Sequence, residues 1–244
     1  MQMMQKCLLI ISIAFSLQST FAQDFKNSYR LPSGGQIVVW NYQGDITVQG
    51  YEGDTVEIVA NKAGPDRELV KIIDLSRGEK IDVHPRYLKF GHGNATVDFE
   101  IRVPKSSEYN FSRLASTGGR VSVSKVTGRL RAESMRGDVE IKGVKGLVTA
   151  SSHSGNVSVE IDPEADRSHM RFSSISGNID VSAPSSLDAF VEMSSIGGLL
   201  KTDFPIEVQE MRYGSGRSAR GKLGTGKQLL HLRSVTGQVS LMQR

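Results

Sequence analysis

Between Gly119 and Gly155 a glycine returns every nine residues, at Gly119, Gly128, Gly137, Gly146 and Gly155. The second and fourth residues behind these glycines are mostly apolar: Val121 and Val123, Val139 and Ile141, Val157 and Val159, then Ile179 and Val181 further on. Alternation with period two after a turn glycine predicts strands with one buried face. The same step occurs near the start, at Gly35, Gly44 and Gly53.

Alternate repeats differ, which sets the structural unit at two strands. Three residues before every second glycine stand Ser116, Ser134, Ser152, Ser174, Ser195 and Ser234, while Lys125 and Gly143 occupy that place in the intervening repeats. One residue nearer the glycine come Thr117, Met135, His153, Ile175, Ile196 and Val235, and five before it Leu114, Ala132, Ala150, Phe172, Met193 and Leu232. These series predict stacked columns, one member per coil. A single two-strand coil has no second layer for its apolar face, whereas stacked coils share a core. Inward side chains contribute roughly 1.5–3 kcal/mol each against the entropy of ordering the chain. Arg129, Arg131, Glu133, Asp138, Glu140 and Lys142 fall on the outward positions.

The predicted fold is therefore all-β, a right-handed β-solenoid or β-helix built from two-strand coils of about 18–22 residues. Insertions fall in IDPEADRSH and SAPSSLDA, whose Pro, Asp and Ser mark loops. The register breaks over residues 205–228, read as an irregular coil or a protruding loop, and returns in LLHLRSVTGQVSLM. Between Asn61 and Ser112 the nine-residue step is missing, but KIIDL, EKIDVH and TVDFEIRVP read as strands; the helical spacing in PDRELVKI is too short to stand alone.

Residues 1–22 have the layout of a secretory signal peptide, with Lys6, an apolar run from Cys7 to Leu17, and Thr20-Phe21-Ala22 ahead of a cleavage point. The expected organisation is then an N-terminal β segment at 23–115 that packs on or starts the solenoid, followed by a regular solenoid at 116–244. No later run is long enough for a transmembrane segment. Cys7 is the only cysteine, so a cleaved chain has no disulfide and no thiol nucleophile. The formal charge of +4 becomes +3 without Lys6, a mild excess that favours anionic partners only weakly.

The segments LPSGGQIVVWNYQGDITVQGYEGDTVEI and IRVPK, the SGN and RGD turns and the closing SVTGQVSLMQR resemble the bacterial putative-adhesin family, exported β-helical proteins of uncharacterised function. The likeness runs from about residue 30 to the end. It implies a right-handed β-solenoid in the cell envelope, in the periplasm or at the cell surface, and transfers no catalytic or binding residues.

The polar features divide into structural and binding candidates. A serine in every coil is a poor design for one active site, so the column is expected to bond adjacent turns. GRSARGKLGTGKQ holds two matches to phosphate-loop spacing, Gly216 to Lys222 and Gly221 to Lys227, but Leu223 and Gln228 stand where a magnesium-binding hydroxyl belongs. The same segment gathers Arg212, Arg217, Arg220, Lys222 and Lys227, a candidate contact for an anion or a partner. Asp45, Asp54 and Asp138 follow their glycines, yet the other turns lack the aspartate of calcium-binding nonapeptides. His84 and His92 lack a clear third ligand, His153 reads as a buried or edge residue, and no cofactor is expected. These residues predict a non-enzymatic binding or scaffolding module with an envelope component or glycan as partner and no nucleic acid. The alternative is a β-helical enzyme acting on an anionic polysaccharide, for which Glu140, Glu160 and Asp180 are the nearest to a carboxylate cluster.

Overall fold

The computed structural model describes residues 24–88, 93–163, 169–210 and 216–244, and in them the protein is all-β. Helical structure among these residues is confined to one 3-10 turn, Arg67–Leu69, inside PDRELVKI. The first strands are β1 (Phe25–Tyr29), β2 (Gln36–Asn41), β3 (Ile46–Tyr51), β4 (Val56–Ala63), β5 (Val70–Asp74), β6 (Lys80–Tyr87) and β7 (Thr96–Pro104). There follow β8 (Glu108–Ser116), β9 (Val121–Ser124), β10 (Thr127–Ser134), β11 (Val139–Val144), β12 (Val148–Ser152), β13 (Val157–Ile161), β14 (His169–Ser174) and β15 (Ile179–Ala183). The last are β16 (Ala189–Ser195), β17 (Leu200–Thr202), β18 (Val208–Glu210), β19 (Arg217–Lys222), β20 (Gln228–Ser234) and β21 (Val239–Gln243).

These strands form two long sheets, and from β8 to β15 the chain alternates between them. The first sheet runs β1-β4-β7-β3-β9-β11-β13-β15-β21-β17 and the second β18-β19-β16-β20-β14-β12-β10-β8-β2-β6-β5. Pairing through the middle is parallel. Val121, Val139, Val157 and Ile179 stand in one register on the first sheet. Leu114, Ala132, Ala150, Phe172, Leu232 and Met193 do so on the second. All ten are buried in one core. Small Ala132 and Ala150 share their column with large Phe172, which lets a close-packed interior form across tiers of unequal side chains.

Spatial order departs from chain order at both ends. The tier of β2 and β3 lies between β6/β7 and β8/β9, and the tier of β20 and β21 lies between β14/β15 and β16/β17. Antiparallel strands close three of the four sheet ends, with β4 and β1 beside β7, β5 beside β6, and β18 and β19 beside β16, while the short β17 ends the first sheet parallel to β21. Among the described residues of 205–228, β18 and β19 therefore cap the end of the second sheet, and Phe204 and Ile206 near them are buried. In place of the irregular coil or protruding loop expected there, the described residues hold β19 running antiparallel to β16.

The turn from the second sheet to the first explains both the serine and the glycine. The Ser152 hydroxyl accepts the Gly155 N–H at 2.9 Å and donates to the Gly137 carbonyl of the neighbouring tier at 2.9 Å. Ser116, Ser134, Ser174, Ser234 and Ser195 repeat this pair of bonds, and Asn41 opens the column with its amide on the carbonyls of Gly44 and Val97. A Cβ on Gly155 would sit 2.3 Å from the Gly137 oxygen, so a side chain there would force the tiers apart. One residue on, a second ladder links Asp138, Asn156, Asn178 and Gln238, each carboxylate or amide oxygen accepting the next backbone N–H.

Candidate binding face

With alternate side chains directed inward, the outer surface of the second sheet carries two columns. Arg131, Thr149, Arg171, His231, Glu192 and Arg220 form one; Glu133, Ser151, Ser173, Arg233, Ser194 and Ser218 form the other. A groove of 520 Å³ follows the second of these columns, from Glu133 through Ser151 and Ser173 to Arg233. Its lining includes the small side chains of Ala115, Ser151 and Ser173. Along one side stand the turn residues Thr117, Met135, His153, Ile175 and Val235. Trp40 and Arg113 are at one end and Arg233 is at the other.

The turn residues stack as their spacing predicts, but outside the core. Met135 is 54% exposed, Ile175 44% and Ile196 48%, and His153 is exposed as well, so the last is an edge histidine and not a buried one. Ile175, Val235 and Ile196 follow one another in this column, with Met135 beyond His153, and exposed apolar side chains grouped in this way mark interaction sites.

Trp40 also lines a smaller cavity of 210 Å³ with His84, Pro85 and Tyr87. Its ring stacks on His84 with centroids 4.7 Å apart and planes inclined by 15°, and the Arg113 guanidinium lies 6.0 Å from its centroid. Packing between β6 and β8 thus fixes an aromatic wall at the groove's end. Beyond Arg233 a third cavity, of 730 Å³, is lined by Glu192, Ser194, Glu207, Ser218, Arg220 and His231. Burial lowers the His231 pKa from the ordinary histidine value, and Arg171, Arg233 and Arg220 add to the effect against the opposing pull of Glu192. This region is electropositive where no acid answers the arginines. Arg131 pairs with Glu133 at 2.8 Å and Arg220 with Glu192 at 3.3 Å, while Arg171 and Arg233 have no ion pair among the described residues.

The basic segment anticipated from the sequence is distributed differently. Arg217 donates to the Gly198 carbonyl at 3.4 Å and faces Glu210 at 4.0 Å. Arg220 joins the outer face of the second sheet through Glu192. Lys227 lies 4.0 Å from Asp188, Lys222 is exposed, and Arg212 lies outside the described residues. Asp188 organises the intervening turn by accepting from Thr225 Oγ1 at 2.7 Å and from Gly226 N–H at 2.6 Å; the Thr225 bond leads the backbone bonds in lowering its pKa. The phosphate-loop spacings fall on β19 and this turn, with no helix behind them. His92 and residues 1–23 also lie outside the described residues.

On the opposite face, Glu140 and Asp180 occupy one register column with Ser158 between them, and Glu160 falls in the next column beside Lys142. The three carboxylates share a face more closely than their sequence positions suggest. Glu140 is paired with Lys142 and Glu160 with Arg244.

Sequence reading missed the groove because its markers are scattered. Trp40 is the only tryptophan and sits at an outward position of β2, a signal available from alternation alone. Arg113 is displaced by the irregular register between Leu130 and Ala132, which a fixed period does not anticipate.

The architecture defines an all-β protein of two long, mostly parallel sheets joined by glycine-led turns. The chain belongs to the Toastrack DUF4097 family, whose model matches residues 35–241. No curated protein matches it. It is similar to a "putative cell adhesion protein" of Clostridium sporogenes ATCC 15579, with 11% identity, 90% of this chain and 99% of that one covered, and a TM-score of 0.46. It is also similar to a "putative adhesin" of Bacteroides fragilis NCTC 9343, at 13% identity, 89% and 96% coverage and a TM-score of 0.40. A third such structure, a "putative lipid binding protein" of Parabacteroides distasonis ATCC 8503, has 12% identity, 90% and 96% coverage and a TM-score of 0.29. Among the described residues no helix is long and apolar enough to cross a membrane.

Proposed function

We propose that this protein is a non-catalytic, adhesin-like binding module of the cell envelope or surface, exported by its N-terminal segment and built as a right-handed β-solenoid. Its ligand lies in the groove on the outer face of the second sheet. The observation that carries this reading is the convergence of Trp40, Arg113, the Met135–Ile175 ridge and Arg233 on one 520 Å³ groove. The repeated hydroxyls that resemble nucleophiles are already engaged in backbone bonds. A groove of this size with an apolar wall and few polar anchors is the usual form of a ligand site.

The test is binding of the purified protein to immobilised envelope and capsule polysaccharide extracts. Trp40→Ala and Arg233→Glu should weaken capture, whereas Lys201→Glu on the opposite face should leave it intact. Equal capture by all three variants removes the groove from the reading. The enzymatic alternative is tested in the same samples, since new reducing ends that disappear in Asp180→Asn would establish catalysis on the first sheet's face.

A further inference from the structure

Resting on that binding face, we propose that the groove holds an unbranched acidic polysaccharide laid along the stack axis, with a sugar ring against Trp40 and an acidic group at Arg233, on the side that faces the neighbouring column of Arg171. Three observations converge on this class. Charge is the first: Arg171 and Arg233 lie on adjacent strands, β14 and β20, without an acidic partner among the described residues, while nearby Arg131 and Arg220 are neutralised. Arg233 lines the groove and Arg171 stands in the neighbouring outward column, and an unanswered guanidinium pair suits carboxylate or sulfate, which a guanidinium can bind through two parallel hydrogen bonds.

Periodicity is the second. From Trp40 the groove crosses β2, β8, β10, β12, β14 and β20, five steps of roughly 4.8 Å or about 24 Å in all. That step is close to the advance of one pyranose along an extended polysaccharide, so each sugar meets an equivalent tier. An extended peptide returns a side chain to the same face only every ~6.7 Å and drifts out of register with the tiers.

The lining is the third. Sugars present hydroxyl edges and apolar faces together, and the groove does likewise. The Ser151 and Ser173 hydroxyls have no protein partner among the described residues, and the exposed Met135 and Ile175 line the same groove. Trp40 lines the groove end and is stacked on His84, and an aromatic surface of this kind packs against the apolar face of a pyranose.

The experiment is calorimetric titration of the full chain with size-fractionated oligogalacturonates and hyaluronan oligomers, with neutral cello-oligosaccharides and poly-glutamate as comparisons. Acidic oligomers should bind more tightly with length up to about six sugars, one per tier, and then level off. Arg233→Glu should weaken them by about tenfold or more, the scale of one lost charge-assisted contact, and added salt should act in the same direction. Trp40→Ala should weaken long oligomers while sparing short ones seated at the arginines. Melting curves establish that both variants are folded.

Neutral oligomers binding as well as acidic ones, with sensitivity to Trp40→Ala, would overturn the acidic class and leave the binding face standing. Poly-glutamate binding as tightly as the acidic sugars would overturn the choice of a glycan. If envelope extracts are captured through the groove and no acidic oligomer binds, this proposal fails alone; if neither binds there, both readings fail.

Discussion

Replacing Ser152 with alanine tests the turn ladder directly. The substitution removes one oxygen that serves two backbone groups, the Gly155 N–H and the Gly137 carbonyl, each at 2.9 Å. Ser152 is 5% exposed and Gly155 is buried, so water cannot replace the lost acceptor; Gly137 is half-buried and can recover part of its loss. A buried group left without a partner costs about 1–3 kcal/mol, which places the variant about 2–4 kcal/mol below the parent. For a chain of this size that corresponds to a Tm lower by roughly 5–15 °C. Ser151→Ala is the matched control: it lies one residue away, points outward, and should change stability by less than about 0.5 kcal/mol. Chemical denaturation with comparison of slope and midpoint measures both. The ladder argument is refuted if Ser152→Ala and Ser151→Ala unfold at the same midpoint with the parent's slope.

Ile141→Asp, at a buried position of β11, should destabilise by more than about 3 kcal/mol because an unpaired charge enters the shared core, and a denaturation midpoint equal to the parent's would refute the inward assignment. Lys125 has a φ of 55° at the turn position that Gly143, with φ 57°, takes in the next tier; Lys125→Gly should therefore raise stability by up to about 1 kcal/mol, measured by the same titration. Burial alone would raise the Asp74 pKa, but hydrogen bonds from Ser76, Tyr29 and Asn27 outweigh it and hold the carboxyl low. Its stabilising contribution is complete above the ordinary carboxylate pKa and is lost as pH falls through the lower folded value; His231, lowered mainly by burial, contributes fully above 6.5 and less as pH falls below it. Asp74 is exposed and His231 half-buried, so solvent screening should hold each effect under about 1 kcal/mol, and Asp74→Asn and His231→Gln should each flatten their own part of the stability profile.

Much of the central stack was legible in the sequence because its tiers repeat. Valines at the second place behind each glycine gave the inward positions, and the serine three residues before alternate glycines gave the two-strand unit. Order at the ends was hidden for the same reason: tiers with equivalent inner columns can pair in more than one sequence, so β20 fits between β14 and β16 as well as it would outside them. The spacing showed that Met135 and Ile175 stack but not on which side, since a column at a turn lies beyond the alternation that assigns faces. Arg217, Arg220 and Lys227 gave no sign of their partners Glu210, Glu192 and Asp188, because pairing depends on which strands and turns lie side by side, and the local sequence pattern does not carry that.

The inserted tiers connect folding to the proposed site. Parallel sheets with open edges invite addition of another chain, and this fold meets that hazard with antiparallel strands at both ends of the second sheet and at the β1 end of the first, leaving only the short parallel β17 at the remaining edge. Closing in this way requires the chain to return inward, so β2 and β20 become interior strands although they lie toward the two ends of the sequence. Those strands carry Trp40 and Arg233, the two ends of the groove. A partly folded stack of β8 to β15 would present the small-residue floor and the Met135–Ile175 ridge without the aromatic wall or the terminal arginine. The complete binding lattice therefore forms only when both long-range insertions have been made, which ties recognition to the slowest, least local pairings in the molecule.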